Sequence, residues 1–120
     1  MFERVIKPSY GNTLLHFVYS VGGTDYISAL PITVAANTIY HLKIEIDSSR
    51  QAAIFVNGIQ YNVTSTSGST GGTAVTTGTT RSLALTNDID LIPYIGIEAG
   101  AAAAEAVDVH YECISRTLFE

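Results

Sequence analysis

Residues 39–64 contain the pattern that most restricts what this chain can fold into. The first run, residues 39–47, alternates apolar with polar side chains, which is typical of an antiparallel strand with one buried and one wet face. A polar turn follows, and two further β-rich runs flank the dipeptide Asn57-Gly58. This dipeptide favours a type I′ hairpin, because both central residues of that turn need a positive φ. The segment therefore predicts three antiparallel strands in a meander, with Tyr40, Leu42, Ile44 and Ile46 facing inward and His41, Lys43, Glu45 and Asp47 facing water.

Alternation of this kind continues along most of the chain. Residues 13–21 carry apolar side chains on both faces, as in a central strand that is covered on two sides. About nine short strands without a convincing helix predict an all-β protein, a sandwich or jelly roll, in one domain spanning residues 1–120. The remaining predicted strands are residues 26–30, 81–86, 90–98 and 107–118.

Residues 65–80 break the alternation. They consist only of Ser, Thr, Gly and Ala with a single Val, so they offer little apolar surface to bury. This composition predicts a flexible surface loop, with a little extended structure near Ala74 and Val75. A loop of this length in a compact domain is either a functional arm or a tolerated insertion, and the sequence leaves both open.

Charge and cysteine content exclude several classes of function. Charged residues make up 14% of the chain, and the formal net charge is −5 with six Lys and Arg residues. Such a surface does not form the basic patch that neutralises phosphates, so no nucleic-acid partner is predicted. The single cysteine, Cys113, excludes an internal disulfide and a cysteine-based zinc site. No apolar run approaches the ~20 residues of a membrane-spanning helix, so no membrane partner is predicted.

Glu45 and Asp47 form the closest approach to a catalytic pair. Residues two apart on a strand share a face, which places these carboxyl groups ~7 Å apart. Retaining glycosidases need about 5–5.5 Å, and the positions where an acid would follow hold Ser49 and Arg50. The chain also has no Trp to stack on a sugar ring. We therefore expect a solvated strand face, no catalytic residue and no enzymatic activity.

Histidine and cysteine give no stronger signal. His16, His41 and His110 lie on separate predicted strands without the spacing of metal ligands, so each is expected to be an ordinary strand residue. Cys113 falls on the apolar face of the last predicted strand, which predicts a buried structural thiol.

Asp88 and Asp90 are weak candidates for calcium binding. Clustered carboxylate oxygens are the ligands that calcium prefers, and both residues lie in one short loop. Asn and Asp in such a loop equally serve to cap turns, and the spacing is not that of an EF-hand. No cofactor is predicted.

Four segments, taken in order, carry a resemblance to a known family. They are a strand ending in Ile46-Asp47, a strand ending in Val56-Asn57-Gly58, a Leu-x-Pro strand at residues 91–97, and a closing strand at residues 107–111 followed by Ser115-Arg116. Their order and spacing resemble the concanavalin-A-like (LamG-like) jelly-roll domains found in tailed-bacteriophage virion proteins. The resemblance covers roughly residues 39–118, and it implies two antiparallel sheets packed face to face.

Two functions follow from the resemblance and from the lack of a catalytic motif. The first is a non-enzymatic virion structural protein, a capsid decoration (cement) or head-fibre protein that contacts capsid or tail subunits and forms a homo-oligomer. The alternative is a carbohydrate-binding domain of a tail fibre or receptor-binding protein. In that case Tyr61 and Tyr94 are the residues expected to contact a glycan.

Overall fold

The computed structural model describes residues 14–35, 37–68 and 71–86, together with Val109 and Cys113. All regular secondary structure within these residues is β, which confirms the predicted all-β class, and none of them forms a helix that could cross a membrane. The chain divides into two units, residues 1–89 and 90–120, and every described strand lies in the first. The strands are β1 (Leu14–Val21), β2 (Thr24–Thr33), β3 (Leu42–Ile46), β4 (Ala52–Val56), β5 (Ile59–Tyr61) and β6 (Thr73–Ala74).

The first sheet has the strand order β1-β2-β6. β1 and β2 form an antiparallel hairpin whose register slips between Leu14 and His16, and Pro31 lies on β2 opposite the slip, where no ladder hydrogen bond is required of it. Side chains 15–19 are all buried, so the prediction that both faces of β1 are covered is confirmed. Among the described strands, β2 lies between β1 and β6.

The second sheet is the predicted meander, with the order β3-β4-β5 and antiparallel pairing throughout. Asn57 and Gly58 adopt φ values of 52° and 81°, the positive values that the hairpin turn needs. At the other turn, the Asp47 carboxylate accepts hydrogen bonds from the backbone N–H groups of Ser49 and Gln51 at 2.9 and 3.0 Å. Local turn chemistry therefore sets the register of both hairpins.

Both sheets contribute to one hydrophobic core, which gives the molecule a β-sandwich-like character. Tyr19 is the largest fully buried side chain, and its ring stacks on Tyr26 at a centroid distance of 4.9 Å. Its hydroxyl donates to the backbone oxygen of Thr64 at 2.6 Å and accepts from the N–H of Leu83 at 3.3 Å. The core cluster consists of Leu15, Phe17, Tyr19, Leu30, Ala52, Ile54, Val56, Tyr61, Val63 and Leu85.

Residues 65–80, expected to form a loop, make specific backbone contacts with both sheets. β6 pairs in parallel with Ser28 and Ala29 of β2, which places extended structure at Ala74, as the sequence suggested. Val75 N donates to Ala29 O at 3.1 Å, and the bridge between Tyr61 and Thr77 joins the segment to β5. Residues 73–75 therefore border the first sheet, and Thr77 borders the second.

Residues 81–86 do not form the predicted regular strand. Ser82 instead lies beside Ala52, donating its N–H to Ala52 O at 2.9 Å and accepting Ala52 N–H on its hydroxyl at 2.8 Å. Leu85 N donates to Arg50 O at 2.8 Å. The Ser82 hydroxyl oxygen accepts a hydrogen bond that a backbone carbonyl would accept in a regular ladder. Residues 81–86 therefore show the alternation of Leu83 and Leu85 but do not form a strand.

The last two predicted strands, residues 90–98 and 107–118, lie outside the described residues except for Val109 and Cys113. Both of these are exposed, and neither lies in a strand. The expectation that Cys113 is a buried structural thiol is therefore wrong. Alternation in sequence buries a side chain only where the strand is paired and covered.

Candidate interaction surface

Strand β3 forms one margin of its sheet, and within the described residues no strand pairs with its outer side. Asn57 N donates to His41 O at 2.8 Å, which shows that residue 41 directs its backbone groups toward β4. The direction of hydrogen bonding alternates along an antiparallel strand, so the other odd-numbered residues also face β4. The residues whose N–H and C=O groups point away from β4 are Leu42, Ile44 and Ile46.

The face of the meander that carries the core is covered only in part. Ile54 and Val56 on β4 are 0% and 1% exposed, whereas three apolar side chains on the same face remain open to solvent. They are Leu42 at 47%, Ile44 at 39% and Ile59 at 49%, and we call these three the apolar margin. Leu42 and Ile44 point toward the core side of the sheet, as predicted. The prediction that they are buried is wrong. The face extends beyond the area that other described residues cover.

The opposite face of β3 carries charged groups in a particular order. His41 and Lys43 come first along the strand, and Glu45 and Asp47 follow. Arg81 bridges the two carboxylates, with Nη2 2.6 Å from Glu45 Oε1 and Nε 3.7 Å from Asp47 Oδ2. Lys43 Nζ lies 3.4 Å from Glu45 Oε2. Lys43 thus precedes the two carboxylates on this face, and Arg81 lies against the carboxylate half.

These contacts also affect the ionisation of Glu45, one of the two carboxyl groups considered above as a catalytic pair. The hydrogen bond from Arg81, and after it the hydrogen bond from Lys43, lowers the pKa of the Glu45 carboxyl below its ordinary range. A general acid in glycoside hydrolysis needs a raised pKa. Glu45 is shifted in the opposite direction, and it shares its cation with Asp47. The pair has the arrangement of a surface ion-pair cluster, and Arg81, which lies far away in sequence, is the member that the sequence did not suggest.

Tyr61, one of the two predicted glycan contacts, belongs to the hydrophobic core. Only 8% of its surface is exposed, and it lies on the same sheet face as Ile54, its cross-strand partner. A sugar ring stacks on an accessible aromatic face, which Tyr61 does not present. The expectation of a ligand contact at Tyr61 is corrected accordingly: Tyr61 shares its face with Val63, which is also buried in the core.

The other predicted site residues contribute less. Asp88, Asp90 and Tyr94 lie outside the described residues, and within the described part of the chain no cluster of three or more potential metal ligands exists. His16 is fully buried in β1, with Nε2 3.1 Å from Gly71 O, and His41 is exposed on β3. The structure does not bring these two histidines together with a carboxylate cluster in the described residues.

A shallow cleft lies between residues 62–66 and residues 73–80. Its volume is about 350 Å³, it is widely open to solvent, and none of the residues that line it is aromatic. Asn62 fixes one wall, since its Oδ1 accepts the N–H of Thr80 at 3.1 Å. The cleft offers hydroxyl and amide groups but no surface for stacking, so it is less developed as a binding site than the β3 edge.

Comparison with known proteins finds no relative. No family model matches the chain, and neither the curated proteins nor the solved structures contain a significant match. The interpretation of the β3 edge and the apolar margin therefore depends on their own geometry.

Proposed function

We propose that this chain is a non-enzymatic structural subunit of a bacteriophage virion, a capsid decoration (cement) or head-fibre protein, which acts by associating with other protein subunits. The proposal combines the resemblance to virion jelly-roll domains with a surface suited to association. As part of this proposal, we infer that the two sheets are connected in the strand order of a jelly roll.

One observation carries the proposal, namely the apolar margin on β3 and β5, the two outer strands of the described meander. Leu42, Ile44 and Ile59 keep 39–49% of their surface exposed, although they continue the face on which Ile54 is completely buried. Apolar side chains left exposed at the margins of a sheet are a hazard for a solitary protein, and they are usual where another chain covers them. In a structural assembly, a neighbouring subunit supplies the chain that covers these side chains.

The polar surface supports the same function. Only 14% of the residues are charged, so solvation depends mainly on Ser, Thr and Gly. Uncharged hydroxyl groups cost less to bury than ions do, and the central part of a protein interface is depleted in charge. A surface of this composition is suited to be covered by neighbouring subunits.

Quantitative mass spectrometry of purified virions from the source of this chain tests the proposal. A decoration or fibre protein is expected in a fixed ratio to the major capsid protein, and purified chain is expected to bind capsids that lack it. Absence of the chain from purified particles, or turnover of a glycan substrate by the purified protein, would overturn the proposal.

A further inference from the structure

We propose that two copies of this chain pair through their β3 strands, antiparallel and centred on Ile44, so that two meanders become one continuous sheet. The inference concerns the interaction surface itself, and it stands whether or not the assembly is a virion. Its partner is a second copy of this chain. Three features of the described residues support it: the backbone direction, the order of charges and the exposed apolar side chains.

The backbone of β3 is suited to this pairing. Leu42, Ile44 and Ile46 direct their N–H and C=O groups away from β4. When Ile44 lies opposite Ile44 of the second copy, Leu42 lies opposite Ile46, and each pair consists of residues whose backbone groups face outward. Pairs of this type exchange both of their hydrogen bonds, so the two strands form about six. The pairing uses groups that β4 leaves available.

The charges on the other face select the register. Centring the pair on Ile44 places Lys43 opposite Glu45 of the second copy, and His41 opposite Asp47. These are the non-hydrogen-bonded positions, where facing Cα atoms are about 4.5 Å apart and side chains are closest. Because Lys43 precedes Glu45 on the strand, an antiparallel copy brings opposite charges together at both of these positions, beside the Arg81 that already bridges Glu45 and Asp47 within each copy.

Registers shifted by two residues keep some unlike contacts, such as Lys43 opposite Asp47, but they place like charges at their centre. A shift of two residues in one direction sets Glu45 against Glu45 of the second copy, and a shift in the other direction sets Lys43 against Lys43. Like charges directly opposite each other on a sheet are destabilising. A shift of one residue places apolar side chains of one copy beside charged ones of the other. Among the registers that keep the two apolar faces together, the one centred on Ile44 is thus favoured because it contains no like-charged pair.

Two members of the apolar margin, Leu42 and Ile44, gain cover from the same arrangement. Leu42 and Ile44 are 47% and 39% exposed, and in the pair Ile44 contacts its own counterpart while Leu42 contacts Ile46. These contacts lie on the core face, so the apolar layer continues from one copy to the next. The arrangement has two-fold symmetry and closes on itself, which is the commonest form of protein oligomer.

Charge exchange tests the proposal directly. Lys43→Glu and Glu45→Lys each place like charges across the interface, so each variant alone is expected to raise the dimer dissociation constant at least about tenfold in sedimentation experiments. Mixing the two variants restores opposite charges at both contacts, and a heterodimer is expected. Both variants lose the Lys43–Glu45 contact within the chain, so recovery in the mixture reports the contact between chains. A mixture that stays monomeric, or a wild-type chain that is monomeric throughout, overturns the proposal.

Cross-linking provides a second test that does not depend on charge. In a Cys113→Ser background, Ile44→Cys places two thiols on the symmetry axis at a Cα separation of about 5.5 Å, within the range of a disulfide. Ile59→Cys is the matched control, since Ile59 has similar exposure on the same face but lies two strands away. Rapid disulfide formation at residue 44 and little at residue 59 is expected. Equal rates at the two positions, or no cross-link at residue 44, overturn the pairing.

Discussion

Replacing Tyr19 by Phe should destabilise the protein more than the loss of one oxygen atom suggests. The Tyr19 side chain is 0% exposed, and its hydroxyl joins β1 to two segments that follow β5. It donates to Thr64 O at 2.6 Å and accepts from Leu83 N at 3.3 Å. The ring stack on Tyr26 is retained in the variant, so the change isolates the hydroxyl.

The expected cost follows from these two hydrogen bonds. Thr64 is 8% exposed, so its carbonyl oxygen has little access to water once the hydroxyl is gone. Leaving a buried acceptor unsatisfied costs about 1–3 kcal/mol, and the longer bond from Leu83 adds less. We expect a loss of about 2 kcal/mol in the free energy of unfolding, which is about 30-fold in the equilibrium constant.

Urea unfolding at a fixed protein concentration measures this loss. The midpoint should fall while the dependence on denaturant concentration stays unchanged, because the variant exposes the same surface on unfolding. Tyr26→Phe is the matched control, since Tyr26 belongs to the same stack but is only partly buried, and a change within about 0.5 kcal/mol is expected. If Tyr19→Phe is as stable as the wild type, or if both variants lose the same amount, the assigned role of the hydroxyl is refuted.

Three further outcomes are expected. Gly72→Ala should lower the melting temperature more than Gly23→Ala: both residues have φ near 80°, but a Cβ at residue 72 would lie 2.8 Å from a β2 side chain and one at residue 23 would touch nothing. Equal losses would contradict the close approach. The pKa of Glu45 is lowered by Arg81, so the ion pair stabilises the protein above the ordinary Glu pKa and is lost as the pH falls through the lowered value. The melting-temperature difference between wild type and Glu45→Gln should therefore shrink on acidification, and a difference independent of pH would contradict this. Burial raises the pKa of Tyr19 above 10.0, so stability should fall as the pH rises through and beyond that value. Absorbance titration of the wild type against Tyr19→Phe tests this, and an identical alkaline transition in both would contradict it.

The meander of β3, β4 and β5 could be predicted because its determinants are local. Alternation sets the two faces of each strand, and Asn57-Gly58 sets the turn between β4 and β5. The extent of burial could not be predicted in the same way. Alternation places Leu42 and Ile44 on the core face, but how far that face is covered depends on residues distant in sequence.

The contacts of residues 65–86 could not be predicted, because they also depend on residues distant in sequence. β6 pairs in parallel with β2 over only two residues, which is too short to leave a periodic signal in sequence. Arg81 reaches Glu45 across 36 positions, and no local pattern indicates an ion pair at that separation. The residue type of Tyr61 does not distinguish a ligand contact from a core position, and its burial comes from the core cluster that surrounds it.

Hydrogen exchange at the amides of β3 tests the central claim, association through the β3 edge, most directly. The amides of Lys43 and Glu45 bond to β4 in every state, so they serve as an internal reference that should be protected at all protein concentrations. The amides of Leu42, Ile44 and Ile46 face away from β4, and the account predicts that they are protected at high protein concentration and exchange faster on dilution. Exchange of these three amides that is fast at every concentration, or protection that does not change on dilution, would contradict the claim.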